Sequence, residues 1–138
     1  MNWIRRIFII GVVFGVGSIA SLINVHAETY GDYEYEINAD GKTVTITKYM
    51  KEDEYDPETG WTIVDNNPLY IPASIEGRKV TIIGEESFKG ILGNSNIVIP
   101  NGVEQIGLSA FEGMYNLTSV SLPNTLKVIG QTAFFDCM

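Results

Sequence analysis

The second half of the chain repeats itself at an offset of 23 residues. Ile83, Ile106 and Ile129 fall in register, as do Gly84, Gly107 and Gly130. Ser87, Ala110 and Ala133 form a third column and Phe88, Phe111 and Phe134 a fourth. Pro100 and Pro123 keep the same step; Val80, Val103 and Leu126 share a slot, and so do Ile91, Met114 and Cys137. A five-residue insertion around 73–79 lets the unit be traced back to Leu69-Tyr70-Ile71-Pro72. A fixed period in the twenties constrains the fold more tightly than composition does. Each unit is one supersecondary element that cannot bury its apolar face alone, so stability comes from stacking neighbours.

Within a unit, Leu117 to Leu122 places apolar residues at the first, fourth and sixth positions, which predicts a short strand. Strand alternation sends Val120 and Leu122 into the core and Ser119 and Ser121 to the opposite face, the concave parallel sheet of such a stack. Pro123, lacking an N–H, ends the ladder. The aligned glycines are expected to permit a turn that a larger residue would strain, and the aligned phenylalanines to form a spine along the stacking axis. A short helical or irregular segment returns the chain to the next strand. Each buried Val, Ile, Leu or Phe contributes about 1.5–3 kcal/mol, so a few per unit suffice once units stack.

A different pattern precedes the repeats. Tyr33, Tyr35 and Ile37 alternate with Glu34 and Glu36, and Val44 and Ile46 alternate with Thr43, Thr45 and Thr47. Asp40-Gly41 between them supplies the positive backbone angles of a tight turn, which predicts a hairpin over 33–49. The acidic stretch Glu52 to Glu58, with Pro57, is expected to be a solvated loop before a third strand around Trp61 to Val64. Asp53, Asp56 and Glu58 do not match the spacing of a twelve-residue calcium loop.

Residues 1–27 have the form of a signal peptide. Arg5 and Arg6 precede an apolar run from Ile7 to about Ile23, and Val25 and Ala27 fit a cleavage site that leaves Glu28 first. Ile4 stands where a twin-arginine signal would carry Ser or Thr, so general secretion is expected. No cysteine lies near the site for lipid attachment. Glycines and serines weaken the run as an uncleaved membrane anchor.

Charge and chemistry narrow the function classes. Of nine basic residues two lie in the leader, leaving seven against seventeen acidic ones. That balance disfavours phosphate backbones and anionic membranes as partners. The only histidine is His26 and the only cysteine Cys137, so a zinc site or a nucleophile–imidazole pair is not expected, and no cofactor is implied. Cys137 shares the apolar slot of Ile91 and Met114. A carboxylate-pair hydrolase would have to draw on Glu85, Glu86, Glu104 and Glu112, which fall at loop and return positions.

The pattern Ile-Pro, then Val or Leu, then Ile-Gly, then Ala-Phe, as in Ile99-Pro100, Val103, Ile106-Gly107 and Ala110-Phe111, resembles the BspA-like leucine-rich repeats of bacterial surface proteins over residues 69–138. The resemblance implies a leucine-rich-repeat solenoid of parallel strands with short helical or irregular returns, behind a small antiparallel β-hairpin cap. Three segments are thus expected: the signal peptide over 1–27, an N-terminal antiparallel β cap over 28–66 and leucine-rich repeats of about 23 residues over 67–138, the last one incomplete. The resemblance also implies a secreted or surface-displayed module that binds an extracellular or surface protein and mediates adhesion, with no catalytic role. The concave face would carry Tyr70, Val98, Ser119 and Ser121. The alternative is a non-binding structural N-terminal part of a longer repeat array; the last repeat is incomplete, so the expectation is either a piece of such an array or an end that pairs with another molecule. Asn94 in the slot of Leu117, Ser87 for alanine and Asp136 for glycine depart from the pattern.

Overall fold

The computed structural model of the chain describes residues 27–51, 54–55, 57–58, 62–63 and 67–137. Residues 1–26 of the expected leader, together with Asp53, Asp56 and Trp61, lie outside the described residues.

Alternation of aromatic and acidic residues builds the first strands. β1 (Glu28–Tyr30) pairs antiparallel with β2 (Tyr33–Ile37), and β2 pairs antiparallel with β3 (Thr43–Tyr49). The turn of this hairpin differs from the sequence expectation. Only Gly41 has a positive φ, of 65°. Asp40 instead accepts hydrogen bonds from the Lys42 and Thr43 amides at 2.8 and 2.9 Å and from the Thr43 hydroxyl at 2.8 Å. These bonds stabilise the ionised carboxylate and hold its pKa below the usual range. In the middle of β2, the buried Tyr35 donates its hydroxyl to Glu28 at 2.6 Å; burial and then this carboxylate push the phenol pKa up.

The acidic stretch is not wholly loop. β4 (Glu54–Tyr55) pairs antiparallel with β5 (Thr62–Ile63), the latter within the strand expected there. β6 (Leu69–Tyr70) then opens the repeat region, and the insertion after it folds as β7 (Ser74–Ile75) antiparallel to β8 (Arg78–Ile83).

From there each 23-residue step adds two short strands. β9 (Asn96–Val98) and β11 (Ser119–Ser121) extend β6 into a three-stranded parallel sheet. β10 (Gln105–Ile106) and β12 (Val128–Ile129) extend β8 into a second parallel ladder. β3 joins β8 in parallel, so the hairpin belongs to the same seven-stranded sheet as the repeats. Ile46, Ile83, Ile106 and Ile129 are thereby direct neighbours along one row.

No helix occurs among the described residues, so the return segments are not helical. The cause is local. Glu86, Ser109 and Thr132 sit at φ 52°, 51° and 56°, and Gly90, Gly113 and Asp136 at 73°, 72° and 58°. Two left-handed residues in every return stop a right-handed helix. The turns are held to one another by hydrogen bonds between repeats: Tyr49 N–H to Ser87 O, Phe88 N–H to Ala110 O and Phe111 N–H to Ala133 O, each 2.8 Å.

The aligned glycines serve a purpose other than the expected turn. Gly84, Gly107 and Gly130 do not have positive φ. A Cβ on Gly107 would lie 2.7 Å from the backbone of Gly84 and Glu85, and one on Gly130 would lie 2.5 Å from that of Gly107 and Leu108. Hydrogen as a side chain lets successive backbones approach at this column.

The phenylalanine spine is present. Phe88 stacks on Phe111 with centroids 5.1 Å apart, and Phe111 on Phe134 at 5.2 Å. It continues into the hairpin, where Tyr49 stacks on Phe88 at 5.3 Å and Tyr33 tilts against Tyr49 at 5.2 Å. Val44, Ile46, Val80, Ile83, Val103, Ile106, Ala110 and Met114 complete the buried core around it. Leu122 is a correction: it was expected inside and is exposed, while Val120 is half-buried against the core. Its counterpart one repeat earlier, Ile99, is buried, whereas no strand lies beyond β11 among the described residues to cover Leu122.

Candidate surface on the three-stranded sheet

All four residues expected on the recognition face lie in the sheet of β6, β9 and β11, and the parallel register brings three of them into one row. Tyr70 is opposite Val98, and Val98 is opposite Ser121. Ser119 lies two residues before Ser121, on the same face, and its neighbour across the ladder is Asn96. The intervening positions Leu69 and Ile97 are buried, so the alternation that sends them to the core turns Tyr70 and Val98 outward. Tyr70 is the most exposed of the row at 67%; Val98 is half-buried, and Ser119 and Ser121 are exposed.

Asn96 belongs to this face and was not singled out from sequence, although it stands one period before Ser119. The Ser119 hydroxyl donates to Asn96 Oδ1 at 2.6 Å and the Thr118 hydroxyl reaches the same oxygen at 3.2 Å. The Thr118 hydroxyl also donates to the Ser95 carbonyl at 2.8 Å. These contacts fix the polar end of the surface, and the Tyr70 ring with the Val98 methyls makes its apolar end. Asn94, beside it, is buried and donates to the Asn67 carbonyl at 2.7 Å, which explains how a polar residue occupies the slot of Leu117.

The acidic residues considered for hydrolysis are arranged differently. Lys89 pairs with Glu86 at 2.7 Å and with Glu112 at 3.3 Å, and Lys127 pairs with Glu104 at 2.8 Å. Lys89 and Glu112, like Glu104 and Lys127, are one period apart, so these are ion pairs between adjacent repeats. A hydrogen bond from Ser109, and then Lys89, hold the Glu112 carboxyl below its usual range. Glu86 and then Glu112 raise the Lys89 ammonium in return. Glu85 is exposed. Cys137 is half-buried against the core in the slot of Met114, its Sγ 3.0 Å from the Phe111 carbonyl. Among the described residues no group of three or more His, Cys, Asp or Glu converges as a metal site, and no helix is long and apolar enough to cross a membrane.

Comparison with known proteins places this geometry. Residues 73–138 match the family model of the BspA type leucine rich repeat region (6 copies). A leucine-rich repeat protein from Bacteroides capillosus is 31% identical, with a TM-score of 0.58 over 77% of this chain and 72% of its own. A leucine rich cell surface protein from Faecalibacterium prausnitzii is 29% identical, with a TM-score of 0.63 over 80% of this chain and 28% of its own. The leucine rich repeat protein of T. pallidum, at 24% identity, shares the fold with a TM-score of 0.66 over 79% of this chain and 45% of its own. The chain thus spans less than half the length of two of these proteins. No curated protein sequence matches it. With the repeat columns, the parallel ladders and a 31% identical leucine-rich repeat relative in agreement, the chain belongs to the BspA-type leucine-rich repeat family.

Proposed function

We propose that this chain is a secreted or surface-displayed, non-enzymatic module that binds a protein ligand and mediates adhesion through the sheet of β6, β9 and β11. The observation that carries the reading is the row Tyr70, Val98 and Ser121, continued by Ser119 and Asn96 on the same face. A rigid exposed tyrosine beside a branched aliphatic residue, bordered by short hydroxyl and amide groups, is the chemistry that protein-recognition surfaces favour. Presented on strands, these groups need little ordering when a partner arrives. In this reading the repeats wind as a solenoid, the face is its concave side, and the hairpin of β2 and β3 is a cap over its first turn. Residues 1–27 are the secretion signal, in keeping with the cell-surface relative.

The experiment is a binding screen of the chain against purified extracellular-matrix and cell-surface proteins. Tyr70→Ala and Ser121→Arg should each weaken any hit at least about tenfold, the scale of an interface anchor. Gln105→Arg, exposed on the other sheet, should leave it unchanged. Hits indifferent to Tyr70 and Ser121 would place binding elsewhere, and no hit at all would contradict the binding role.

A further inference from the structure

Three asparagines of the repeats have engaged side chains. Asn94 donates to the Asn67 carbonyl at 2.7 Å, Asn116 to the Leu92 carbonyl at 2.6 Å, and Asn96 accepts from the Ser119 hydroxyl at 2.6 Å. Asn101 and Asn124 differ: both are exposed, and neither side chain has a hydrogen-bond partner among the described residues. These two stand one period apart in the same turn. The Val103 amide closes the first onto the Pro100 carbonyl at 3.3 Å, and the Leu126 amide closes the second onto the Pro123 carbonyl at 3.2 Å. The residue that follows is not the same. Asn101 precedes Gly102, the only Asn-Gly pair in the chain, whereas Asn124 precedes Thr125.

That difference decides how easily a backbone nitrogen reaches the side-chain amide carbon of the residue before it. Glycine has no Cβ to crowd its nitrogen, and Gly102 sits at φ 111°, where L residues are strained. The branched side chain of Thr125 shields the nitrogen at the equivalent place. Gly102 is restrained from the next repeat instead: its amide donates to Thr125 Oγ1 at 3.0 Å, and that hydroxyl donates in turn to the Val103 carbonyl at 2.8 Å. Asp40-Gly41 in the hairpin is held back by other means. The Asp40 carboxylate accepts three hydrogen bonds, which keep it ionised and a poor target for attack, and the Gly41 amide donates to the Asn38 carbonyl at 2.9 Å.

We propose that Asn101 is a site of spontaneous covalent modification, converting to aspartate and isoaspartate through Gly102, and that the Thr125 hydroxyl of the next repeat slows the conversion. Solvent hydroxide removes the Gly102 amide proton, and the nitrogen attacks Cγ of Asn101. The new N–Cγ bond closes a five-membered succinimide; the Cγ–Nδ2 bond breaks, and the leaving nitrogen takes a proton from water and departs as ammonia. A second water then opens the ring. Opening at Cγ gives aspartate, and opening at the main-chain carbonyl gives isoaspartate, whose backbone runs through Cγ. While Gly102 N–H is bonded to Thr125, its proton is harder to remove and its nitrogen is turned toward the neighbouring repeat. Isoaspartate adds one carbon to the main chain between β9 and β10, the link between the two ladders, and so draws Gly102 away from Thr125. Contact between adjacent repeats is thereby coupled to the chemical age of the chain.

Peptide mapping by mass spectrometry of the full chain, aged in warm, mildly alkaline buffer, tests this, with enzymatic methylation of isoaspartyl groups as the second readout. Acid should accumulate at position 101, part of it as isoaspartate, while Asn124 keeps its amide. Thr125→Val should speed conversion at 101 by about two- to tenfold, the kinetic equivalent of one neutral hydrogen bond, and Thr125→Ser should match the wild type. An Asn101 that keeps its amide for as long as the urea-unfolded chain needs to lose it overturns the proposal. Equal conversion at 101 and 124 also overturns it, because glycine then gives no advantage. Valine and serine variants that convert at the same rate remove the role of Thr125. Should the valine variant fail to fold, hydrogen exchange of the wild-type Gly102 amide decides that role, since exchange requires loss of the same proton: protection supports it, and exchange at the rate of an unfolded chain contradicts it.

Discussion

Phe111→Ala should lower the unfolding free energy by about 3–5 kcal/mol, the range for removing a fully buried aromatic from a core. Phe111 stands between Phe88 and Phe134, at 5.1 and 5.2 Å, and its own amide donates to the Ala133 carbonyl. Truncation opens a cavity that backbone on both sides prevents from closing. Stabilities of domains this size are about 5–15 kcal/mol, so a large fraction is at stake. The melting temperature should fall by roughly 15 °C or more in a thermal scan followed by circular dichroism. Phe134→Ala is the comparison: that ring has one stacking neighbour and is half-buried, so its loss should cost less than half as much. Equal costs at the two positions would mean that stacking along the axis does not hold the repeats together.

The second large effect is expected at Gly107. Alanine there places a methyl 2.7 Å from Gly84 C and Glu85 N, atoms of backbone that cannot rotate aside. The repeats must part at that point, weakening the bond from Gly107 N–H to the Ile83 carbonyl. The expected loss is about 3 kcal/mol or more, at the upper end for overpacking. Gly113→Ala separates the two uses of glycine. Its φ is 72°, but a Cβ there meets nothing nearer than 3.8 Å, so only backbone strain of about 1–2 kcal/mol is paid. Chemical denaturation of both variants gives the ordering directly, and a larger loss at Gly113 would contradict the close-approach account.

The repeat columns were legible in the sequence because stacking demands the same side chain at the same place in every unit. The 23-residue offset alone pairs Ile97 with Val120 and Ile106 with Ile129, as the ladders do. The same offset pairs Asn96 with Ser119, so this member of the face is visible in the sequence through its partner one repeat later. What stayed hidden has physical reasons. Two-residue strands such as β10 and β12 are too short for an alternating pattern, so the second ladder was read as an irregular or helical return. The parallel pairing of β3 with β8 joins segments more than 30 residues apart in sequence, which no local periodicity records. With it went the recognition that Tyr49 begins the aromatic spine. The glycine column was found, but its cause was not, since a sequence cannot distinguish a residue needed for its φ from one needed for its missing Cβ. The Leu122 assignment failed because strand alternation gives a direction, while burial also requires something on the other side.

The candidate face depends on register above all, because a slip of one residue would turn Val98 inward and Ile97 outward. The most direct measurement is therefore a set of nuclear Overhauser contacts from the Val98 methyl groups. The account predicts contacts to the Tyr70 ring and to the Ser121 β-protons, with Ile97 instead in contact with Leu69 and Val120. Val98 methyls in contact with Leu69 or Val120, and absent from Tyr70 and Ser121, would contradict it and dissolve the proposed surface.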